Sequence, residues 1–423
     1  MTPTTERPSG RGFLRRRAGV MAALAVIGPG LITAQADNDA TGIATYSIAG
    51  ARYGYRLLWV LVPVGIALAV TQEMGARLGI VTGKGLASLI RERFGVGFAA
   101  VAIGLLLIGN LGTTTADFAG IAASLEIFGI SKFASVPVAA GIVFLLVTRA
   151  SYRRVEKVFL VLSAFYVAYM ISGFMAHPNW AHAMRSTVVP SFTLTGAFVL
   201  TVVAVVGTTV TPWGQFFIQS YVVDKNIDAE QLNYARGDVI LGAFTTDLVA
   251  FFIIVATAST IFATGGHIVD AKDAAIALKP LAGRFASTLF GLGLLNASFL
   301  AAAILPLSTA YAVCEAFGLE MGLDRSPREA PIFYSVFAFS ILFGAGVVLI
   351  PSVPLVKILF ASSAVNGVLV APILVFLYRL CNDVDLMGSR RNGKFANAMG
   401  AATIGLLILL TVLLLGAGII NPT

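Results

Sequence analysis

The sequence predicts an all-α polytopic membrane protein of about eleven spanning helices, and three observations carry that expectation. The first is composition: of 423 residues, 57% are hydrophobic and only 12% charged, and mean hydropathy is +0.88. A soluble chain of this length could not cover so much apolar surface with so few charges. The second is the even recurrence of apolar runs long enough to span a bilayer. The third is that Lys and Arg gather in alternate connections, so the formal charge of +8 is a topology signal and not the footprint of a nucleic-acid binder.

The runs fall at 18–48, 56–82, 96–127, 134–150, 157–176, 194–222, 237–263, 284–315, 332–351, 354–379 and 396–418. The polar start, with Arg7, Arg11, Arg15, Arg16 and Arg17, is expected to be an uncleaved cytoplasmic tail over 1–17. With that end inside, the cytoplasmic connections carry Lys84, Arg91 and Arg93, then Arg149, Arg153, Arg154 and Lys157, then Lys225 and Arg236, then Arg325 and Arg328, then Arg390, Arg391 and Lys394. The outer connections hold the weaker basic set, as the positive-inside rule requires. The longest polar connections, near 177–193 and 264–283, are too short to hold a core of their own. Two halves of five helices, 18–176 and 194–379, must then run in opposite orientations as an inverted repeat, with 396–418 as an added helix.

Each half opens with an interrupted helix. In the first run, Gln35-Ala36-Asp37-Asn38-Asp39-Ala40-Thr41-Gly42 puts two carboxylates near the bilayer midplane, where ionisable groups are costly and mark ion or substrate paths. In the second half, Thr211-Pro212-Trp213-Gly214-Gln215 breaks the run 194–222. Proline removes a helix hydrogen bond there and frees backbone carbonyls. Paired broken helices point to a transport site between them.

Asp39 is the first candidate ligand, either ionised against a cation or protonated and hydrogen-bonded. Asp37, two positions earlier, points about 200° away on a helix and shares a cavity with Asp39 only if the segment unwinds; a capping role is its plain alternative. Thr208 and Thr211 flank the second break with hydroxyls and carbonyls, hard oxygen donors suited to Mg²⁺, Ca²⁺ or Mn²⁺. Trp213 is a wall residue or plain packing. Asp117, after Thr113-Thr114-Thr115, is a secondary candidate, and Glu73, Asp247, Asn296 and Asn366 are expected chiefly as helix–helix hydrogen-bonding groups.

Other chemistry finds little support. No phosphate-binding GxxxxGK[ST] loop occurs. The histidines, His177, His182 and His267, fall in outer connections, and Cys314 and Cys381 lack metal or redox spacing. No cofactor is expected beyond the transported ion.

Gly28-Pro29-Gly30, Asp39, Ile43-Ala44-Thr45, Ala49-Gly50-Ala51 and Tyr53-Gly54-Tyr55 resemble the first helix of the natural-resistance-associated macrophage protein (Nramp) family of divalent metal transporters. The resemblance continues through Gly79-Ile80-Val81-Thr82-Gly83-Lys84, Tyr152-Arg153-Arg154-Val155-Glu156, Gly207-Thr208-Thr209-Val210 and Asp385-Leu386-Met387-Gly388. It implies a fold like the bacterial leucine transporter, with a metal site between the first and sixth helices. The family's Asp-Pro-Gly-Asn is here Asp39-Ala40-Thr41-Gly42, and its Met-Pro-His-Asn is Thr211-Pro212-Trp213-Gly214; Gly120 stands where the third helix of the family carries a glutamate. The soft thioether and the histidine are thus absent, a combination similar to the Nramp-related magnesium transporters. Carried over by position, the resemblance implies metal contacts at Asp39, the Ala36 carbonyl, the Thr208 carbonyl and Thr211. Asn38, Gly42, Trp213, Gly214, Gln215, Ser363 and Asn366 would line the cavity.

The expectation is an inner-membrane importer of Mg²⁺, with Mn²⁺ as a second cargo, that works by alternating access without obligatory proton coupling. A proton-coupled Mn²⁺ or Fe²⁺ transporter is the nearest alternative, and a non-transporting sensor or scaffold a more remote one. A carboxylate at the first break would repel an amino-acid substrate.

Overall fold

Apolar runs become helices, and the helices end where glycine, proline or a short polar side chain interrupts the pattern. The computed structural model describes residues 38–149, 165–323 and 325–420. The longer helices are α1 (Ala40–Tyr53), α2 (Leu58–Thr82), α3 (Leu86–Phe94), α4 (Val96–Ile127), α5 (Lys132–Arg149), α6 (Tyr166–Met175) and α7 (Trp180–Val188), followed by α8 (Gly196–Thr209), α9 (Pro212–Asp224), α10 (Leu232–Thr260), α11 (Ala286–Phe317), α12 (Pro331–Leu349), α13 (Leu355–Asn382) and α14 (Lys394–Ile420). Each expected run meets a helix, although the parts 18–37 and 157–164 lie outside the described residues, and so does the 1–17 tail. Among the described residues, eight helical stretches are long and apolar enough to cross a membrane, and Lys132–Thr148 and Tyr166–Met175 are shorter apolar helices.

The breaks follow local chemistry. α2 stops at Gly83, whose φ of 64° is the left-handed cap that a residue with a Cβ avoids. α8 stops at Val210, and α9 restarts at once because Thr211 is extended and Pro212 occupies the first helical turn, where its missing N–H costs nothing.

α4 is the central post, packed along α11, α13 and α12, while α1 is enclosed by α10, α13, α8 and α4. Small residues allow these contacts, since lipid supplies no hydrophobic drive between helices. A Cβ on Gly207 of α8 would lie 2.2 Å from the Ser363 carbonyl oxygen of α13, so the two backbones touch. The same close contact explains Gly120. A Cβ there would meet Ala40 at 2.6 Å and the Ser298 hydroxyl at 2.3 Å, so α1 rests on α4 where a longer side chain has no room.

Large apolar residues cover the outside, including Phe98, Val101 and Ile108 on α4 and Leu406, Leu409, Val412 and Leu415 on α14, as a lipid-facing surface requires. Cys314 and Cys381 are free and buried. Glu73 does what a helix-tying carboxylate should: it accepts from Arg77 at 3.0 Å and from Arg236 at 2.7 Å, while Arg77 also donates to Asn392 at 2.6 Å. Asp247 instead sits against Gly65, with its Oδ1 lacking a hydrogen-bond partner.

Candidate metal centre

The first break is a capped helix start. Asp39 is extended (φ −69°, ψ −170°) and caps α1, its Oδ1 accepting from the Gly42 amide at 2.9 Å and from the Thr41 hydroxyl at 2.6 Å. A carboxylate offers about four lone-pair sites, so these two bonds leave acceptor capacity for a cation. Ala36 and Asp37 lie outside the described residues. Asn38 is buried, and its carbonyl accepts from the Tyr166 hydroxyl.

The second break repeats this solution with a neutral group. Thr211 is the cap of α9, and its hydroxyl accepts from the Gly214 amide at 3.3 Å. Capping residue and glycine are three apart in both cases. The Thr208 carbonyl would accept from the amide of residue 212 in an unbroken helix; proline has no such amide, so that oxygen is left without its helical donor.

Hydroxyls bring the two breaks together. Thr41 Oγ1 lies 3.1 Å from Thr208 Oγ1. Because Thr41 gives its one proton to Asp39, Thr208 must be the donor in that pair, which makes a relay of Thr208 to Thr41 to Asp39. Tyr46 approaches Thr209 at 2.7 Å; Thr209 donates to the Val205 carbonyl, so Tyr46 is the donor. Thr45 donates to Ser363 Oγ at 2.9 Å, and Ser363 donates to the Leu359 carbonyl. Three hydroxyls of α1 thus anchor it to α8 and α13.

Asp117 of α4 is fully buried, interacts electrostatically with Asp39, and turns its carboxylate toward the Ala40 backbone amide at the start of α1. Two carboxylates this close in a low dielectric repel each other unless a cation or proton intervenes. Asn366 donates to Thr113 at 2.8 Å, and its Oδ1 lacks a partner. That oxygen and Pro212 both neighbour Gly109, which puts Asn366 beside the second break.

Trp213 and Gln215 are both expected to line the cavity, and the structure gives each a defined neighbour. Trp213 is buried against Phe217, with ring centroids 5.6 Å apart, and belongs to the apolar core. Gln215 turns to Thr71 of α2 at 3.4 Å. Gly42 and Gly214 act through their backbone amides. Sequence reasoning missed Thr41, Thr45, Tyr46 and Tyr166. The 41/45 spacing, two hydroxyls one turn apart on the face that Asp39 opens, is a signal that could have found two of them; nothing local marks Tyr166. Among the described residues no three His, Cys, Asp or Glu side chains converge, and the donors gathered at the breaks are oxygens. His177 and His182 line a cavity of about 540 Å³ with Tyr53, Arg56 and Ser259, at the far end of α1.

The sequence model of the natural resistance-associated macrophage protein-like (Nramp) family matches residues 30–417. Among solved structures, the chain is similar to a manganese transporter of Eremococcus coleocola, with a TM-score of 0.76 and 21% identity over 97% of this chain and 88% of that one. It also resembles Mhp1, a nucleobase-cation-symport-1 family transporter (TM-score 0.58, 15% identity, 94% of each chain). A third likeness is to MhsT, solved in complex with L-phenylalanine (TM-score 0.59, 12% identity, 92% of this chain and 98% of that one). The architecture is therefore that of the leucine-transporter-like folds.

Proposed function

The chain belongs to the Nramp family, a multi-pass membrane transporter of metal ions and not an enzyme, and from that premise we propose that it imports Mg²⁺, with Mn²⁺ as a second cargo, without obligatory proton coupling. The observation that carries the cargo reading is the donor set. Asp39, Thr41, Thr208, Thr211, Ser363 and Asn366 gather at the two breaks and offer only hard oxygen acceptors, with no thioether or imidazole among them. Mg²⁺ takes oxygen ligands and keeps several waters; Gly42 and Gly214 contribute no side chain that would displace those waters. The contacts we assign are Asp39, the Thr208 carbonyl, Thr211 and the Ala36 carbonyl.

The N-terminus is cytoplasmic in this reading and the membrane is the cell membrane, as the alternation of basic connections supports. The halves 18–176 and 194–379 move against one another around the site, with 396–418 outside the repeat. A divalent ion crossing about 100 mV, inside negative, gains about 4.6 kcal/mol, from about 2.3 kcal/mol per charge. That drives about a thousandfold accumulation with no proton.

Asp117 favours a second reading. A fully buried carboxylate beside Asp39 is suited to carry a proton, as in a proton-coupled Mn²⁺ or Fe²⁺ transporter. The test is uptake of Mg²⁺, Mn²⁺ and Cd²⁺ into proteoliposomes while internal pH is recorded. Mg²⁺ entry without acidification is the expected result. Mn²⁺ or Cd²⁺ entry with acidification and no Mg²⁺ transport would establish the second reading instead.

A further inference from the structure

One face of α9 carries polar groups well beyond the metal centre. Thr211, Gln215 and Gln219 are spaced four apart, so they stack on one side of the helix and Gln219 lies about 12 Å along the axis from Thr211. Gln215 and Gln219 are both fully buried, and the amide oxygen of each has no hydrogen-bond partner. Through their amide nitrogens both lean on the α2 side, Gln215 on Thr71 and Gln219 on the Lys84 carbonyl at 2.8 Å. Unpaired amide oxygens in a row are expensive in a packed interior, and their row makes a polar track along α9.

The track leads to a carboxylate. Glu315, near the end of α11, is 7% exposed; its Oε1 accepts from the Ser220 hydroxyl at 2.7 Å, and its Oε2 has no partner. The carboxylate packs on Gly85, where a Cβ would fall 1.9 Å from Oε2. The amide nitrogen of Gln219 and the carboxylate of Glu315 therefore lie at the same Lys84–Gly85 turn, from two different helices. The nearby cations are engaged elsewhere: Lys84 pairs with Glu92 at 2.7 Å, and Arg91 donates to the Ala316 carbonyl at 3.4 Å. No ion pair among the described residues reaches Glu315. A buried carboxylate with an open oxygen and no basic partner is neutralised by a proton or by a cation.

We propose that Glu315, with the amide oxygen of Gln219 and the hydroxyl of Ser220, forms a second divalent-cation station on the cytoplasmic side, which receives the ion from the Asp39 site along the Thr211–Gln215–Gln219 face. The proposal rests on the transporter reading above. Its three oxygens leave the ion most of its water shell, so the station binds weakly and releases the ion to the cytoplasm.

The test is equilibrium Mn²⁺ binding to the purified full-length protein, read from the spin-resonance signal of free Mn²⁺, together with proteoliposome uptake. Wild type should hold two Mn²⁺ per chain. Asp39→Ala should remove one, and Glu315→Gln should remove the other and slow uptake about tenfold. Glutamine still accepts from Ser220, so a merely structural Glu315 would leave both readouts unchanged, and that result overturns the station. Should Glu315→Gln fail to fold, Gln219→Leu must weaken the Asp39-independent site about tenfold; unaltered binding overturns the proposal equally. A wild-type protein that neither binds nor carries a divalent ion would overturn the transport reading as well, and wild type alone shows that outcome.

Discussion

The two breaks use the same local device and differ in charge. Asp39 caps α1 through the Gly42 amide, and Thr211 caps α9 through the Gly214 amide, with identical spacing. Either residue type caps a helix start, Asp somewhat better than Thr, so capping alone does not require that one be a carboxylate. Under the proposed function, the difference assigns the attraction for a cation to the first break, whereas the second supplies neutral oxygens.

The largest expected effect tests that division. Asp39→Asn should keep the cap and melt within a few degrees of wild type, yet lose at least about a hundredfold of metal uptake; Asp39→Ala should lose uptake and about 1 kcal/mol of stability as well. Thermal melting beside flux separates the two, and uptake retained in Asp39→Asn would show that the residue serves only as a cap.

Next comes the floor beneath α1. Gly120→Glu restores the family's carboxylate but must push against Ala40 and Ser298, at a cost of about 1–3 kcal/mol. The melting temperature should fall and uptake with it. An unchanged melt would mean that α1 shifts freely on α4.

Thr211→Met sharpens the comparison from the other side. A thioether at the second break should move the Cd²⁺ over Mg²⁺ preference about tenfold in competition uptake, while the lost cap costs about 1 kcal/mol. If preference stays put, cargo choice does not reside at this break.

The smallest effect is on the link between the breaks. Thr41→Val removes the relay from Thr208 to Asp39 and should cost about 1 kcal/mol of stability, read by chemical denaturation, with a reduction of uptake by only a few fold.

Much of this was legible before any coordinates. The helix ends at Gly83 and at Thr211-Pro212 follow from residue type alone. The capping oxygens of Asp39 and Thr211 were legible because each adjoins a helix start. Trp213 and Gln215 were placed on the cavity wall by the family resemblance; which neighbours they have, Phe217 for Trp213 and Thr71 of α2 for the Gln215 amide nitrogen, needed the folded helices. Gly120 was readable as a lost glutamate but not as the floor of α1, since a missing side chain does not tell what fills its place.

The sequence by itself determined a membrane protein with a charged helix start at Asp39 and a broken helix at Thr211-Pro212, because hydropathy, helix breaking and capping act over a few residues. Only the tertiary structure decided which oxygens meet Asp39. Thr41 and Thr208 are 167 positions apart, and Thr45 and Ser363 are 318 apart. A hydroxyl on a helix advertises a bond without naming its partner; the close approach of α1, α8 and α13, permitted by their small residues, makes the choice.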